Sequence, residues 1–176
     1  MRYFYDTEFL EDGHTIDLVS VGVVAEDGRE FYAVSTEFDP SVANQWVREN
    51  VLPQLPPADD PAWRSRRQIR EELFRFLTGG EDVGRRERLR PQLWAWVGAY
   101  DHVALAQLWG DMSQLPREVP HYTRDVKQLW ELAGKPRLPE APADLHDALA
   151  DAKFAWEKFR VCAAALPLRS DNRVLG

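Results

Sequence analysis

Apolar and polar positions along this chain follow a period near two at first and a period near 3.6 later, and the change marks out its elements. Met1-Arg2-Tyr3-Phe4-Tyr5-Asp6-Thr7-Glu8 runs aromatic and apolar into a pair of acids and reads as a first strand. After a turn at Glu11-Asp12-Gly13-His14, Thr15 to Val24 is β-branched and partly alternating, a second strand by composition and length. Ala25-Glu26-Asp27-Gly28 carries the Asp-Gly signal of a tight hairpin, and Glu30 to Ser35 returns as a third strand. The opening is therefore expected to be an antiparallel meander.

Helical spacing follows. Asp39-Pro40-Ser41 offers caps for a helix over residues 42–51, and Pro53, Pro56, Pro57 and Pro61 interrupt the chain beyond it. Over Trp63 to Leu77 the positions Trp63, Ile69, Leu73, Phe74 and Leu77 form one apolar stripe, ended by Thr78-Gly79-Gly80. The Arg-rich stretch up to Arg90 reads as an exposed connection. Leu93-Trp94-Ala95-Trp96-Val97-Gly98-Ala99 is continuously apolar, as a strand buried on both faces is, with Asp101 just beyond its carboxyl edge. Val103 to Trp109 is helical and Pro116 to His121 is loop. A short strand near Tyr122 then leads into a helix from Asp125 to Ala133, stopped by Gly134 and Pro136. A last helix starts near Asp144 and runs through Ala164, with Leu145, Leu149, Phe154, Ala155 and Phe159 as its core positions. This order predicts one domain over 1–176 in which helices cover a mixed sheet, an α/β or α+β plan, the α/β form having five strands, three antiparallel then two parallel. Sites in such folds form beyond the carboxyl ends of strands, where Asp6, Glu8 and Asp101 fall.

Composition narrows the setting. The net charge of −7 argues against long-range capture of a polyanion, yet an acidic protein can still hold a short strand through metal ions and a local basic rim. Arginines do cluster, at Arg64, Arg66, Arg67 and Arg70 and again at Arg85, Arg86, Arg88 and Arg90. They are equally readable as solvated faces balanced by Glu71, Glu72 and Glu87. Seven Trp and eight Phe exceed what a core of this size requires, which favours an aromatic interface and a homodimer. The single Cys162 forms no internal disulfide, Asp6, Glu8, Glu11 and Asp12 interrupt any leader-like run, and no stretch approaches the ~20 apolar residues of a membrane span. A cytoplasmic protein without a membrane partner is expected. Zinc is not, since one Cys and scattered His lack ligand spacing.

On an extended strand Asp6 and Glu8 project from one face, and two carboxylates so placed repel unless a proton or a cation joins them. They form a candidate metal platform. Asp101 adds a third carboxylate and His146-Asp147-Ala148-Leu149-Ala150-Asp151 a fourth with a histidine five residues ahead. In this order the residues resemble the DEDD superfamily of 3′-to-5′ exonucleases, in its DEDDh branch, whose fold is ribonuclease H-like. Asp6-Thr7-Glu8 looks like the first motif, Asp101 after its apolar strand like the second, and His146 to Asp151 like the third. The tyrosine branch would place its tyrosine where this chain has Asp147. Many members carry an Asn shortly before the second-motif Asp. Val97-Gly98-Ala99 supplies none, so Asp101 is assigned by position, with Asp111 as the other candidate. The layout is most similar to that of small actinobacterial exoribonucleases described as polyadenylate-specific.

The resemblance implies two divalent cations, Mg²⁺ or Mn²⁺, bridged by Asp6, with Glu8 and Asp151 on the nucleophile-side ion, Asp101 completing the ligation and His146 as general base. It also implies substrate contacts at Thr7, Phe9 and Leu18, the last two equally readable as core. His102 is either a helix-start residue or a support to the site, and His14 and His121 are loop residues. On an ideal helix at about 100° per residue, positions 146 and 151 would point about 140° apart. His146 is therefore expected on the loosened first turn or just before it, mobile until substrate and metal bind. The implied activity is hydrolysis at the 3′ end of single-stranded RNA, adenylate-preferring, with nucleoside 5′-monophosphate as product. The alternatives are a DNA exonuclease, since use of the 2′-OH is not visible in the residues, and a non-catalytic binding relic of the fold.

Overall fold

The structure is a computed structural model that describes residues 1–79, 91–142 and 145–166. The second arginine cluster, Arg85 to Arg90, lies outside them, as does Asp144. The predicted meander is present as β1 (Arg2–Glu11), β2 (Ile16–Ala25) and β3 (Glu30–Ser35), paired antiparallel in sequence. Pairing of β1 with β2 sets Asp6 against Gly22 and Glu8 against Ser20. The register then shifts by one residue, and Phe9 faces Leu18.

The helical stretches divide where the sequence offers more than one cap. Asp39 starts only a 3₁₀ turn (Pro40–Val42), and Asn44, whose side chain accepts from the Val47 amide, starts α1 (Gln45–Asn50). One helix expected over 42–51 is thus two short pieces. The helix expected from Trp63 likewise begins later. Ser65 and Gln68 form a capping box, so α2 covers Arg66–Thr78 and stops at Gly79 in the left-handed conformation. The two residues ahead of the cap become β4 (Trp63–Arg64), which joins β3 in parallel and gives the sheet six strands where the pattern predicted five.

The apolar run at 93–99 is strand only as β5 (Gln92–Ala95), parallel to β1. Val97 at φ 59 turns the chain, and Gly98 caps α3 (Ala99–Ala106). A further two-residue strand, β6 (Arg124–Asp125), pairs with β5, and Asp125 also caps α4 (Val126–Leu132). The last helix, α5 (Ala148–Ala165), is capped by the Asp147 carboxylate accepting from the Ala150 amide. The sheet order is β4-β3-β2-β1-β5-β6.

Period two along β1 assigns its side chains to two layers. Tyr3 and Tyr5 face α2 and α3 and join Ile69, Leu73, Leu77 and Leu105 in a core where these six side chains are fully buried. Each such side chain contributes about 1.5–3 kcal/mol by leaving water. Phe4 faces the other way, with Val126 and Leu129 of α4 and Ala152 and Phe159 of α5. Phe154, Ala155 and Phe159 are buried as predicted, whereas Leu145 and Leu149 are only partly so. Among the described residues no helix is long and apolar enough to cross a membrane.

One contact decides how closely α5 lies on the sheet. A Cβ on Gly22 would fall 2.3 Å from the backbone carbon and oxygen of Ala148 and the nitrogen of Leu149. The first turn of α5 therefore rests directly on the β2 backbone beside Asp6. Gly22→Ala forces backbone apart from backbone, an overpacking that costs about 1–3 kcal/mol. Scanning calorimetry is expected to show a loss of roughly 2–12 °C in melting temperature, at ~2–4 °C per kcal/mol for a chain of this size. A wild-type melting temperature would show that α5 is not seated on Gly22.

Candidate active site

Asp6 and Glu8 share the face of Phe4, so both point toward α5. Asp151 lies in the first turn of that helix and His146 just ahead of its cap, Asp147, where the sequence expectation placed it. His146 has φ 72, a left-handed conformation uncommon for a residue with a side chain. Its backbone N–H donates to Asp151 Oδ2 at 2.8 Å. Leaving the helix in this way removes the angular conflict between positions 146 and 151. One ligand atom from each of Glu8, His146 and Asp151 lies within 4.8 Å of the other two. The His146 ring is partly buried, not fully packed, and stands edge-on to Trp46 of α1 at 4.8 Å between centroids.

Asp101 reaches β1 from the opposite layer. It occupies the first turn of α3, is 7% exposed, and its Oδ1 accepts from both the backbone N–H and the hydroxyl of Thr7, each at 2.8 Å. Thr7, expected at the substrate, thus spends both donors on an acid. The Val97 turn that aims α3 is tied by Asp125, whose Oδ2 accepts from the Gly98 amide at 3.1 Å. The other candidate, Asp111, is exposed and folded onto its own turn, accepting from Ser113. Asp101 is therefore the acid brought to the strand.

Phe9 is partly buried and stacks on Tyr100 at 5.9 Å and 10° between planes, with Tyr100 55% exposed. Leu18, opposite Phe9, is buried in the core. His102 lies in the first turn of α3, with its ring nitrogen Nδ1 3.4 Å from the Tyr5 hydroxyl, while His14 and His121 are loop residues as expected. The arginines of the first cluster are paired: Arg64 of β4 with Glu72, and Arg66 and Arg67 of α2 with Asp17 and Glu71. They behave as a balanced solvated face.

The acids disturb one another. Burial raises the Asp6 carboxyl well above its ordinary range, and the charges of Asp101, Glu8 and Asp151 add to the rise, while Lys158 opposes it. Burial, helped by Asp151 and Asp101, lifts Glu8 from 4.5 to about 8. Asp101 rises to about 6 through burial, held back by the Thr7 hydrogen bonds. Asp151 is raised by burial and held back by the His146 amide. Such a cluster is relieved by protons or by a cation. Carboxylate oxygens gathered from separate elements are the donor set that hard divalent ions take, so the residues fit a metal of that kind.

Some functional positions escaped the sequence reading. Gly22 had a signal, an isolated glycine inside a β-branched strand, which marks a close backbone approach. Trp46 and Tyr100 had none, because the rings they meet, those of His146 and Phe9, are brought to them by tertiary packing.

Comparison with known proteins gives the family of the chain. The model of the 3′-5′ exoribonuclease Rv2179c-like domain matches residues 1–163. Two relatives from Mycobacterium tuberculosis, 3′-5′ exoribonuclease Rv2179c of strain H37Rv and 3′-5′ exoribonuclease MT2234.1 of strain CDC 1551, are each 60% identical over 163 residues. The match covers 92% of this chain and 92% of theirs. A chain in the structure of the yeast NOT1 MIF4G domain co-crystallised with CAF1 is 12% identical with a TM-score of 0.45, over 89% of this chain and 77% of that one, too distant to carry an inference. With a family match over nearly its whole length and relatives at 60% identity, the chain belongs to the family of Rv2179c-like 3′-5′ exoribonuclease domains.

Proposed function

We propose that the protein is a metal-dependent 3′-to-5′ exoribonuclease that hydrolyses single-stranded RNA from its 3′ end and releases nucleoside 5′-monophosphates, with adenylate preferred. The observation that carries the reading is the convergence of Glu8, His146 and Asp151 beside Asp6 and Asp101, acids held against their own repulsion by two opposite layers of the fold.

Asp6, Glu8, Asp101 and Asp151 would hold two divalent ions, Mg²⁺ or Mn²⁺. When bound, such a pair lowers the pKa of a water and stabilises the leaving oxygen of a phosphodiester. The protein's own part is positional. Thr7 fixes the carboxylate of Asp101 through two hydrogen bonds and keeps it more acidic than its burial alone would allow. Asp151 fixes the backbone of His146, so the ring is presented beside Glu8. Hard ions prefer carboxylate and water to imidazole, which leaves His146 to accept the proton of the attacking water. A histidine begins near pKa ~6.5, suited to that task at neutral pH. Phe9 and Tyr100 offer an aromatic surface next to Glu8 and Asp101 on which a terminal base can stack.

End-labelled RNA and DNA oligonucleotides test the reading. With Mg²⁺ or Mn²⁺ the wild-type protein is expected to shorten RNA from the 3′ end to monophosphates, to stop in excess chelator, and to lose at least ~100-fold in rate as His146→Ala, the usual scale for a general base. Intact RNA under these conditions, or His146→Ala at wild-type rate, contradicts it. Faster loss of DNA than of RNA favours the DNA exonuclease.

The raised acids give a second prediction. Glu8 and Asp101 hold protons more tightly folded than unfolded, so their contribution to stability is present at low pH. It is lost as pH rises through about 6 for Asp101 and about 8 for Glu8. In chelator the melting temperature should fall between pH 5 and 8.5, and Mn²⁺ should restore it increasingly toward pH 8.5. A metal-free melting temperature that rises over this interval would show that the acids are not in conflict.

A further inference from the structure

Lys158 lies outside every motif, yet its ammonium is held beside the acids. It follows Asp151 by seven residues on α5, within about 20° of two full turns, so both occupy one face. Helix side chains lean toward the N-terminus, and Lys158 does so. Its Nζ lies 3.9 Å from the ring centroid of Phe154, one turn back. It also lies 4.3 Å from the ring centroid of Trp96. Trp96 follows directly on β5, the strand that pairs with the Asp6 strand β1. The two rings thus form a notch that holds the ammonium on the Asp151 face of α5, within reach of the charges of both Asp151 and Asp6. Among the described residues Lys158 makes no ion pair with a carboxylate.

We infer that Lys158 is a positioning residue, a built-in counter-charge that keeps Asp6 and Asp151 together before a divalent cation arrives and moderates how tightly that cation binds. The inference rests on the metal-dependent reading of the same site. Aromatic faces suit the role. They stabilise an ammonium without taking a carboxylate oxygen, so the charge stays close while the lone pairs of Asp6 and Asp151 stay free. The electrostatics agree in both directions: Lys158 draws the Asp6 carboxyl down, and Asp151 and Asp6 keep the proton on Lys158 against its burial. A lysine serving only as packing would need no such alignment with two acids.

Calorimetric titration of Mn²⁺ into the wild-type protein and Lys158→Met, Lys158→Gln and Lys158→Arg tests this without reference to activity. Methionine keeps the length and the contact with the rings while deleting the charge. Lys158→Met is expected to bind Mn²⁺ about tenfold more tightly, the scale of removing one like charge from a partly buried site. Its melting temperature should fall in chelator and rise more than that of wild type on saturation with Mn²⁺. Lys158→Arg should behave as wild type. Lys158→Gln, which is polar, takes the place of the methionine variant if that one fails to fold. Mn²⁺ affinity equal to or weaker than wild type in the uncharged variants overturns the inference. So does an RNA KM raised at unchanged Mn²⁺ affinity, which would make Lys158 a phosphate ligand. A wild-type protein that binds no Mn²⁺ overturns the metal reading itself, whereas wild-type binding with unaltered variants overturns this inference alone.

Discussion

The approach of α5 to the backbone of β2 at Gly22 is the contact on which the site depends. Glycine stands opposite Asp6 in the strand pair, and the space a Cβ would take is filled by the main chain of Ala148 and Leu149. Because the first helical turn sits that low, Asp151 and His146 arrive at the height of Asp6 and Glu8. Even one added methyl group would lift the third motif off the first. The packing of Phe4, Ala152 and Phe159 behind this contact then stabilises the position that Gly22 permits.

Bringing the acids together has an electrostatic cost, which the fold meets in two ways. Thr7 and the His146 amide donate hydrogen bonds to Asp101 and Asp151 and keep those carboxyls more acidic. Glu8 lacks comparable help and is pushed to about 8. The site is thus strained in charge without being strained in packing, a condition that favours cation binding at neutral pH. His146 shows a related economy of means. Its left-handed backbone takes it out of the helix, and the acid it is meant to work beside is also the acid that accepts from its amide.

The meander was legible because it rests on local signals, period two in β1 and β2 and the Asp27-Gly28 turn, whereas the acids stood out only through their order and their resemblance to the motifs of a known family. The placement of His146 ahead of α5 followed from helix geometry once the resemblance put positions 146 and 151 in one site. Element boundaries were less so. Asn44 and Ser65 outweighed the apolar stripes around them, so one expected helix divided and another gave up Trp63 and Arg64 to a sixth strand. The role of Thr7 was hidden because its partner, Asp101, lies 94 residues away on the opposite layer. Tyr100 and Trp46 were hidden for the same reason, since each gains meaning only from a neighbour that tertiary packing supplies.

The central claim is that the carboxylates, and not the histidine, hold the metal. Anomalous diffraction from crystals grown with Mn²⁺ and a nucleoside monophosphate tests it directly. Two peaks ~3.5–4 Å apart, with Asp6 between them and His146 outside both coordination shells, are the predicted result. A single peak ligated by Glu8, Asp151 and the His146 ring would contradict it.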